Sequence, residues 1–337
     1  MKAFEIQESF GIENLKEIER PDPRPGPNEV LVKLRAVSLN FRDLLTLEGR
    51  YNPRQTLPLI PLSDGVGEVV EIGKNVSQVG IGDRVAGIFA QKWLTGLPTL
   101  DMLRSTLGGP LDGVLAELIV LHENGVVSVP KGLTDEEAAT LPCAGVTAWN
   151  ALVTEGGLRA GQTVLIQGTG GVSTFALQFA RMLGARAIVT SASDEKLVRA
   201  KALGANETIN YREDLHWDKT VLELTEGMGV DHVVEVGGAQ TLSKSFHAVR
   251  FGGQISLIGI LSGADTKFDI IPVLMNKIRV QGIFVGHRES FEAMNLAVSC
   301  NSLKPVVDQT FPFQDATDAF RLMKSGKHFG KICIRME

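Results

Sequence analysis

Hydrophobic and polar positions in this chain keep two different rhythms. At 29–37 (EVLVKLRAV) apolar and polar residues come close to alternating, the period of a strand with one buried face. The pattern returns at 65–72 (GVGEVVEI), before Gly73 and the turn-like 79–84. Residues 3–6 read as an edge strand, whereas Pro21, Pro23, Pro25 and Pro27 form a stiff connector that can join neither a ladder nor a helix. A mixed loop or helix excursion is expected at 88–112 and another strand at 113–120. Short strands at this spacing predict a compact β-barrel-like unit. From about Val126 the rhythm changes. A helix opens at 133–139, with Thr134 as N-cap and acids in its first turn, and helical character resumes at 145–152. Strands at 163–167, 187–190, 207–210, 232–236 and 253–259 then alternate with helices at 173–183, 195–203, 217–225 and 241–249. That alternation predicts an α/β unit built on a parallel, doubly wound sheet. A last helix at 314–324 and strand at 331–335 close the chain, the strand rejoining the first unit. The expected domains are therefore 1–124 with 305–337, discontinuous in sequence, and 125–304.

The candidate chemistry begins at the turn between the 163–167 strand and its helix. Gly168, Gly170 and Gly171 stand there, followed by Val172, with Ser173 where a G-x-G-x-x-G motif has its third glycine. Strand, glycine turn, helix and strand within about thirty residues form the setting in which such a turn binds a dinucleotide. Missing side chains let the backbone approach a pyrophosphate, whose charge meets the amides of the helix N-terminus. The alternative is a structural turn with no ligand. An NAD site usually has Asp or Glu at the end of the second strand, but here that end reads Thr190-Ser191-Ala192-Ser193. Hydroxyls with a nearby cation, Lys196, favour a 2′-phosphate and hence NADP; Asp194 is the discordant charge, and Lys196 could instead be a solvated helix residue.

Composition narrows the setting. The 337 residues suffice for two cores, and 44% hydrophobic with 22% charged residues is ordinary for a soluble protein. A formal charge of −5 gives no reason to expect nucleic acid or an anionic membrane as partner. No apolar run approaches the roughly twenty residues of a membrane span. The opening MKAFEIQESF lacks the apolar core of a secretion signal, and Cys143, Cys300 and Cys333 are too few and scattered for a disulfide framework. A cytoplasmic location is expected.

Taken together, AVSLNFRD at 36–43, GVGEVVEIG at 65–73, GDRV at 82–85, DGVLAE at 112–117, LPCAGVTAW at 141–149, VLIQGTGGVS at 164–173, GGQISLIG at 252–259 and HFGKICI at 328–334 resemble the medium-chain dehydrogenase/reductase superfamily over essentially the whole chain. The resemblance implies a GroES-like β-barrel catalytic domain and a Rossmann domain. Zinc-using relatives place a Cys, a His and often a second Cys where this chain has Asn40, the Ser63-Asp64 pair and Cys143. A catalytic zinc needs three protein ligands. The structural-zinc lobe of those relatives needs four cysteines, and 88–112 has none, so no metal is expected.

The sequence is similar to the quinone oxidoreductase-like and enoyl-reductase-like branches, which keep Asn and Asp where Asn40 and Asp43 stand. The resemblance implies catalytic roles for Asn40, as a hydrogen-bond donor to a carbonyl gaining charge, and Tyr51, as donor of a hydrogen bond or proton. Asp43 would position the loop. The alternative for this trio is loop capping and packing. The resemblance adds Tyr211 to Ser191 and Lys196 around the 2′-phosphate, Thr147 as a cofactor contact, and Gly259, Ile283, Phe284 and Val285 near the nicotinamide. Lys331 either reaches the cofactor or is a surface charge at a strand end. The implied function is zinc-independent, NADPH-dependent hydride transfer to an α,β-unsaturated carbonyl or quinone. The rivals are an NAD(P)-dependent alcohol or aldehyde dehydrogenase and a non-catalytic NADPH-binding protein. A homodimer is expected, joined at a sheet edge near 277–285.

Overall fold

The computed structural model describes residues 1–265 and 267–336, and its strands follow the two rhythms of the sequence. In chain order the first strands are β1 (Lys2–Ile6), β2 (Leu15–Glu19), β3 (Glu29–Ser38), β4 (Asp64–Ile72), β5 (Arg84–Gly87), β6 (Leu118–His122) and β7 (Val126–Ser128). Next come β8 (Thr163–Gln167), β9 (Arg186–Ser191), β10 (Glu207–Asn210), β11 (Val230–Glu235), β12 (Val249–Leu257) and β13 (Arg279–Gly282). The last two are β14 (Val307–Pro312) and β15 (Lys331–Arg335). The chain forms two compact units, one of Met1–Val146 with Gly286–Glu337 and one of Thr147–Val285.

In the first unit β1 and β2 form a separate antiparallel ribbon, and the main sheet runs β14-β15-β3-β4-β5-β7. The ten-residue β3 is its spine. One edge pairs with β4 and the other with β6 and then β15, and the register against β4 shifts at Leu31/Val32 and Leu34/Ala36. Such irregularities bend a long strand enough for one segment to serve three partners. Alternation along β3 sends Val30, Val32 and Leu34 into a core shared with Leu39, Leu44, Leu47, Phe313, Phe320 and Ile334. The closing strand β15 pairs antiparallel with β3, so the tail does rejoin the first unit. The strand expected at 113–120 begins only at Leu118. Before it, Gly113 and Val114 hydrogen-bond to the carbonyls of Ile60 and Leu62, an approach only a glycine permits, since a Cβ on Gly113 would lie 2.1 Å from the Leu62 oxygen.

Two segments expected in the dinucleotide domain, 125–146 and 286–304, belong to this first unit. The helix Asp135–Ala139 packs on β3 and β4, where Ser38 Oγ donates to the Ala139 carbonyl. The helix Arg288–Cys300 packs on β7, with Asn295 Nδ2 donating to the Ser128 carbonyl at 3.0 Å. An amphipathic helix advertises that it will be buried, but not against which sheet.

In the second unit all six strands are parallel in the order β10-β9-β8-β11-β12-β13. From β8 the chain moves outward through β9 and β10, then returns to lay β11 on the other side of β8. The strand order therefore reverses between β8 and β11, and a ligand crevice opens beyond the carboxyl ends of strands at such a point. The helix Gly171–Met182 buries Phe175, Ala176, Leu177, Phe179 and Ala180, with Trp149 packed edge-on to Phe179. Among the described residues no helix is long and apolar enough to cross a membrane.

Candidate functional site

The glycine turn lies at the carboxyl end of β8. Gly168 sits at φ +71, a left-handed conformation that favours glycine, and donates its N–H to the Thr190 carbonyl at 2.8 Å. Gly170 is different. A Cβ there would meet nothing within 4 Å, so the turn leaves open space above its second glycine. The helix that follows has no side-chain cap and no acid in its first turn, leaving its amide donors and positive end for an anion. Gly171 and Val172 open that helix, half-buried. Ser173 replaces the third glycine without penalty, because its buried Oγ donates to the Gln167 carbonyl at 2.7 Å and ties helix to strand. This turn suits a dinucleotide pyrophosphate.

At the neighbouring strand ends, Ser191 closes β9 and its carbonyl accepts the Tyr211 N–H at 3.1 Å. Ser193 caps the helix Asp194–Leu203 and Lys196 lies in its first turn. Tyr211, just beyond β10, is 41% exposed. Asp194 is engaged locally, accepting from Asn210 Nδ2 at 2.8 Å. Thr147 is buried at the start of the unit, Gly259 follows β12, and Ile283, Phe284 and Val285 follow β13. Gly259 lies tight against the loop after β11, where a Cβ would be 2.5 Å from the Val236 oxygen. Val285 takes φ +48, a left-handed conformation costly for a β-branched residue.

Beside the turn lies a network the sequence reading missed. Glu235, at the end of β11, is fully buried. Its Oε1 accepts from the amides of Gly237 and Gly238 at 2.9 and 3.0 Å and from Thr241 Oγ1 at 2.6 Å. Its Oε2 accepts from Gln167 Nε2 at 2.7 Å and Ser245 Oγ at 2.5 Å. Five donors thus satisfy the carboxylate where the strand order reverses, Gln167 reaching it from β8 and the other four from the segment that follows β11. The signal was legible in principle, since an acid in VVEVGG ends an apolar strand just before two glycines.

In the first unit a second polar cluster gathers Asn40, Asp43, Ser63, Asp64, Cys143 and Lys331. Asn40 precedes the helix Phe41–Leu47, and its backbone N–H donates to Asp43 Oδ2 at 2.8 Å. Its side-chain Nδ2 faces Ser63 Oγ at 3.4 Å, and Ser63 Oγ donates to Asp64 Oδ1 at 2.6 Å. Cys143 lies in a wide π turn, Leu141–Gly145, whose loosened backbone donates the Cys143 N–H to Asp64 Oδ2 at 3.0 Å. Lys331 is no surface charge: only 2% exposed, it donates to the Leu39 carbonyl at 2.6 Å and to Asn40 Oδ1 at 2.5 Å. Its Nζ stands 4.0 Å from Asp64 Oδ2.

Burial sets the titration of this cluster. It pushes the Asp43 carboxyl up to about 6, against the opposing pull of the Arg42 guanidinium, with Asp64 adding to the rise. The Asp64 carboxyl is also raised by burial, while Lys331, the Ser63 hydroxyl, Asn40 and the Cys143 amide favour its charged form. Burial, then Asp64, pushes the Cys143 thiol far above neutrality, so it is not an activated nucleophile.

Tyr51 is 42% exposed, and its ring rests on the Arg42 guanidinium, 4.7 Å from centroid to carbon. Arg42, also missed in sequence, is buried and donates to Asp43 and to the carbonyls of Leu107, Gly108 and Gly109. It joins the tyrosine, the acid and the 107–109 loop in one assembly.

Residues 26–131 match the alcohol dehydrogenase GroES-like domain family, and 171–299 match the zinc-binding dehydrogenase family. The chain is 42% identical to a zinc-type alcohol dehydrogenase-like protein of Schizosaccharomyces pombe, covering 98% of this chain and 97% of the relative. It is 43% identical to a solved structure described as a putative alcohol dehydrogenase from Sinorhizobium meliloti 1021, with 99% of each chain covered and a TM-score of 0.92. An NAD-dependent alcohol dehydrogenase structure matches at 34% identity over all of both chains, also with a TM-score of 0.92. More distant structures include a mycobacterial protein complexed with NADPH, at 27% identity, 99% coverage of each chain and TM-score 0.83. Another is a quinone oxidoreductase from Coxiella burnetii, at 28% identity, coverage of 100% and 99%, and TM-score 0.81.

The zinc in the matched family's description can be tested against the residues present. Among the described residues no three of His, Cys, Asp and Glu gather as a metal-binding group. At the cluster the donors are an amide oxygen already bonded to an ammonium, a single cysteine, and a carboxylate that receives a hydroxyl and an amide. Those residues do not fit a catalytic zinc, which needs three ligands and an open position.

Proposed function

Because this chain belongs to the medium-chain dehydrogenase/reductase superfamily of oxidoreductases, we propose that it reduces an α,β-unsaturated carbonyl or a quinone with NADPH, without zinc. The observation that carries this reading is the Lys331–Asn40–Ser63–Asp64 cluster, in which an amide and a hydroxyl–carboxylate pair stand at the positions the resemblance matches to metal ligands, with an ammonium against the amide oxygen. NADPH supplies the hydride when bound. Gly168, Gly170, Gly171 and Val172 hold its pyrophosphate, with the open space at Gly170 and the uncapped helix supporting that assignment. Ser191, Lys196 and Tyr211 take the 2′-phosphate. Thr147, Gly259, Ile283, Phe284 and Val285 line the nicotinamide end. Asn40 donates a hydrogen bond to the substrate oxygen as it gains enolate or hydroquinone character, and Tyr51 or solvent supplies the proton. Asp43 acts as a positioner, fixing the Asn40 backbone and, through Arg42, the tyrosine.

A second reading is NAD(P)-dependent alcohol or aldehyde oxidoreduction, favoured by the names of the more similar relatives. Coenzyme oxidation with 2-cyclohexenone, 1,4-naphthoquinone and simple aldehydes, using NADPH and NADH in parallel, separates the two. Reduction of the enone C=C bond or the quinone with NADPH preferred supports the first. Turnover confined to aldehydes and alcohols supports the second.

A homodimer joined along β13 is part of the proposal. That strand ends the sheet, and Ile270, Ile271, Leu274, Met275 and Val280 beside it are exposed. The three cysteines are free, in keeping with a reducing cytoplasm.

A further inference from the structure

Lys331 is the residue the mechanism has not yet used. An ammonium carries three donors and no acceptor, so the Asn40 amide atom that meets it must be the oxygen. The Lys331 contact therefore decides which way the carboxamide is turned, and its nitrogen is left on the side of Ser63 and Asp64. A second donation, to the Leu39 carbonyl, holds the ammonium in place, and Asp64 balances its charge from 4.0 Å. Arg42 and Asp43 complete the charged groups around Asn40. Without the ammonium, the Asn40 oxygen would lose its charged partner, and the contact that fixes which end of the carboxamide is oxygen would be gone.

We propose that Lys331 is the positioning residue for Asn40: its buried ammonium orients the carboxamide so that the nitrogen, not the oxygen, is available to substrate. The proposal rests on the reading of Asn40 as donor to the substrate oxygen. It differs from a role in which Lys331 holds the coenzyme, because it places the lysine's effect in turnover and not in NADPH affinity.

The test is a double-mutant cycle in the full-length protein, with Lys331→Met, Asn40→Ala and the pair, assayed by NADPH oxidation with 2-cyclohexenone and 1,4-naphthoquinone. Each single change is expected to lower kcat by about 30-fold. The pair is expected to fall no further than Asn40→Ala alone, within about threefold, because Lys331 acts through Asn40. The Kd for NADPH, from fluorescence titration, is expected to stay within about threefold of the unmutated protein. Lys331→Arg, which keeps charged donors at the same site, should recover about tenfold of the loss. Should the Met variant fold poorly, Lys331→Gln, with an N–H donor but no charge, takes its place in the cycle. Losses that multiply in the pair, or a weaker NADPH Kd with kcat intact, overturn the proposal. Full turnover in Asn40→Ala removes the donor reading itself, a result distinct from failure of the cycle.

Discussion

The two units each bury a carboxylate beside their candidate site, but they treat it differently. Glu235 receives five uncharged donors, all from its own unit and all within 3.0 Å. Asp64 accepts from Ser63 and the Cys143 amide, has the Asn40 side chain beside it, and looks across 4.0 Å at an ammonium that is itself bound to Asn40. A fully satisfied acid is a fastener; it fixes β8 to β11 and has no capacity left for a ligand. A partly satisfied acid tied to a cation and an amide can respond when an oxygen gains charge nearby. The buried acid of one unit serves shape; that of the other belongs to the cluster for which chemistry is proposed.

The largest expected effect breaks the first half of that contrast. Glu235→Leu leaves five donors without an acceptor and is expected to cost roughly 4 kcal/mol or more, read as a loss of Tm or of soluble protein. A mild change would show that Glu235 is not a fastener.

The next concerns charge in the other unit. Asp43 titrates near 6 in the folded protein against an ordinary value of 3.8, so the folded state keeps a proton that the unfolded chain has released. Its contribution to stability is present at low pH, is lost as pH rises between about 4 and 6, and stays level above. The difference between 3.8 and about 6 corresponds to roughly 3 kcal/mol. Urea unfolding at about pH 4 and pH 7 should show this fall relative to Asp43→Asn, which lacks the titration. Equal pH dependence in the two proteins would remove Asp43 from the account.

Gly170→Val tests whether the open space at the turn is for a ligand. The backbone there is extended and unobstructed, so Tm is expected to hold within about 2 °C. NADPH affinity, by contrast, should drop about 100-fold as the side chain fills the pyrophosphate's place. Unchanged affinity would make the turn structural. The smallest expected effect is Lys196→Ala, about a tenfold rise in KM for NADPH and none for NADH, the size of one exposed charge contact. An equal effect on both coenzymes would assign the lysine elsewhere.

How much of this could be read in the sequence depended on how far apart the partners lie. The glycine turn, the β8–β12 alternation and the return of β15 were legible because each is a local pattern of period or composition. Ser191 and Tyr211, which the resemblance put around one phosphate, are neighbours because β9 and β10 are consecutive and adjacent. Lys331 was left between two roles, because what decides it is Asn40, 291 positions away. Arg42 was missed because its acceptors, the 107–109 carbonyls, lie some 65 positions away in the chain. Likewise nothing in LPCAG announces a wide turn whose amide reaches Asp64, 79 positions earlier. The segments 125–146 and 286–304, expected with the dinucleotide domain, fall in the first unit, because the pattern of an amphipathic helix is the same whichever unit it packs on.

The central claim is that the oxygen gaining charge is met by hydrogen bonds instead of a metal. Metal content by mass spectrometry, measured on the same preparation as NADPH-dependent enone or quinone turnover before and after chelation, tests it most directly. The account predicts turnover with far less than one zinc per chain and no loss on chelation. One zinc per chain, with turnover lost on chelation and regained when zinc is returned, would contradict it.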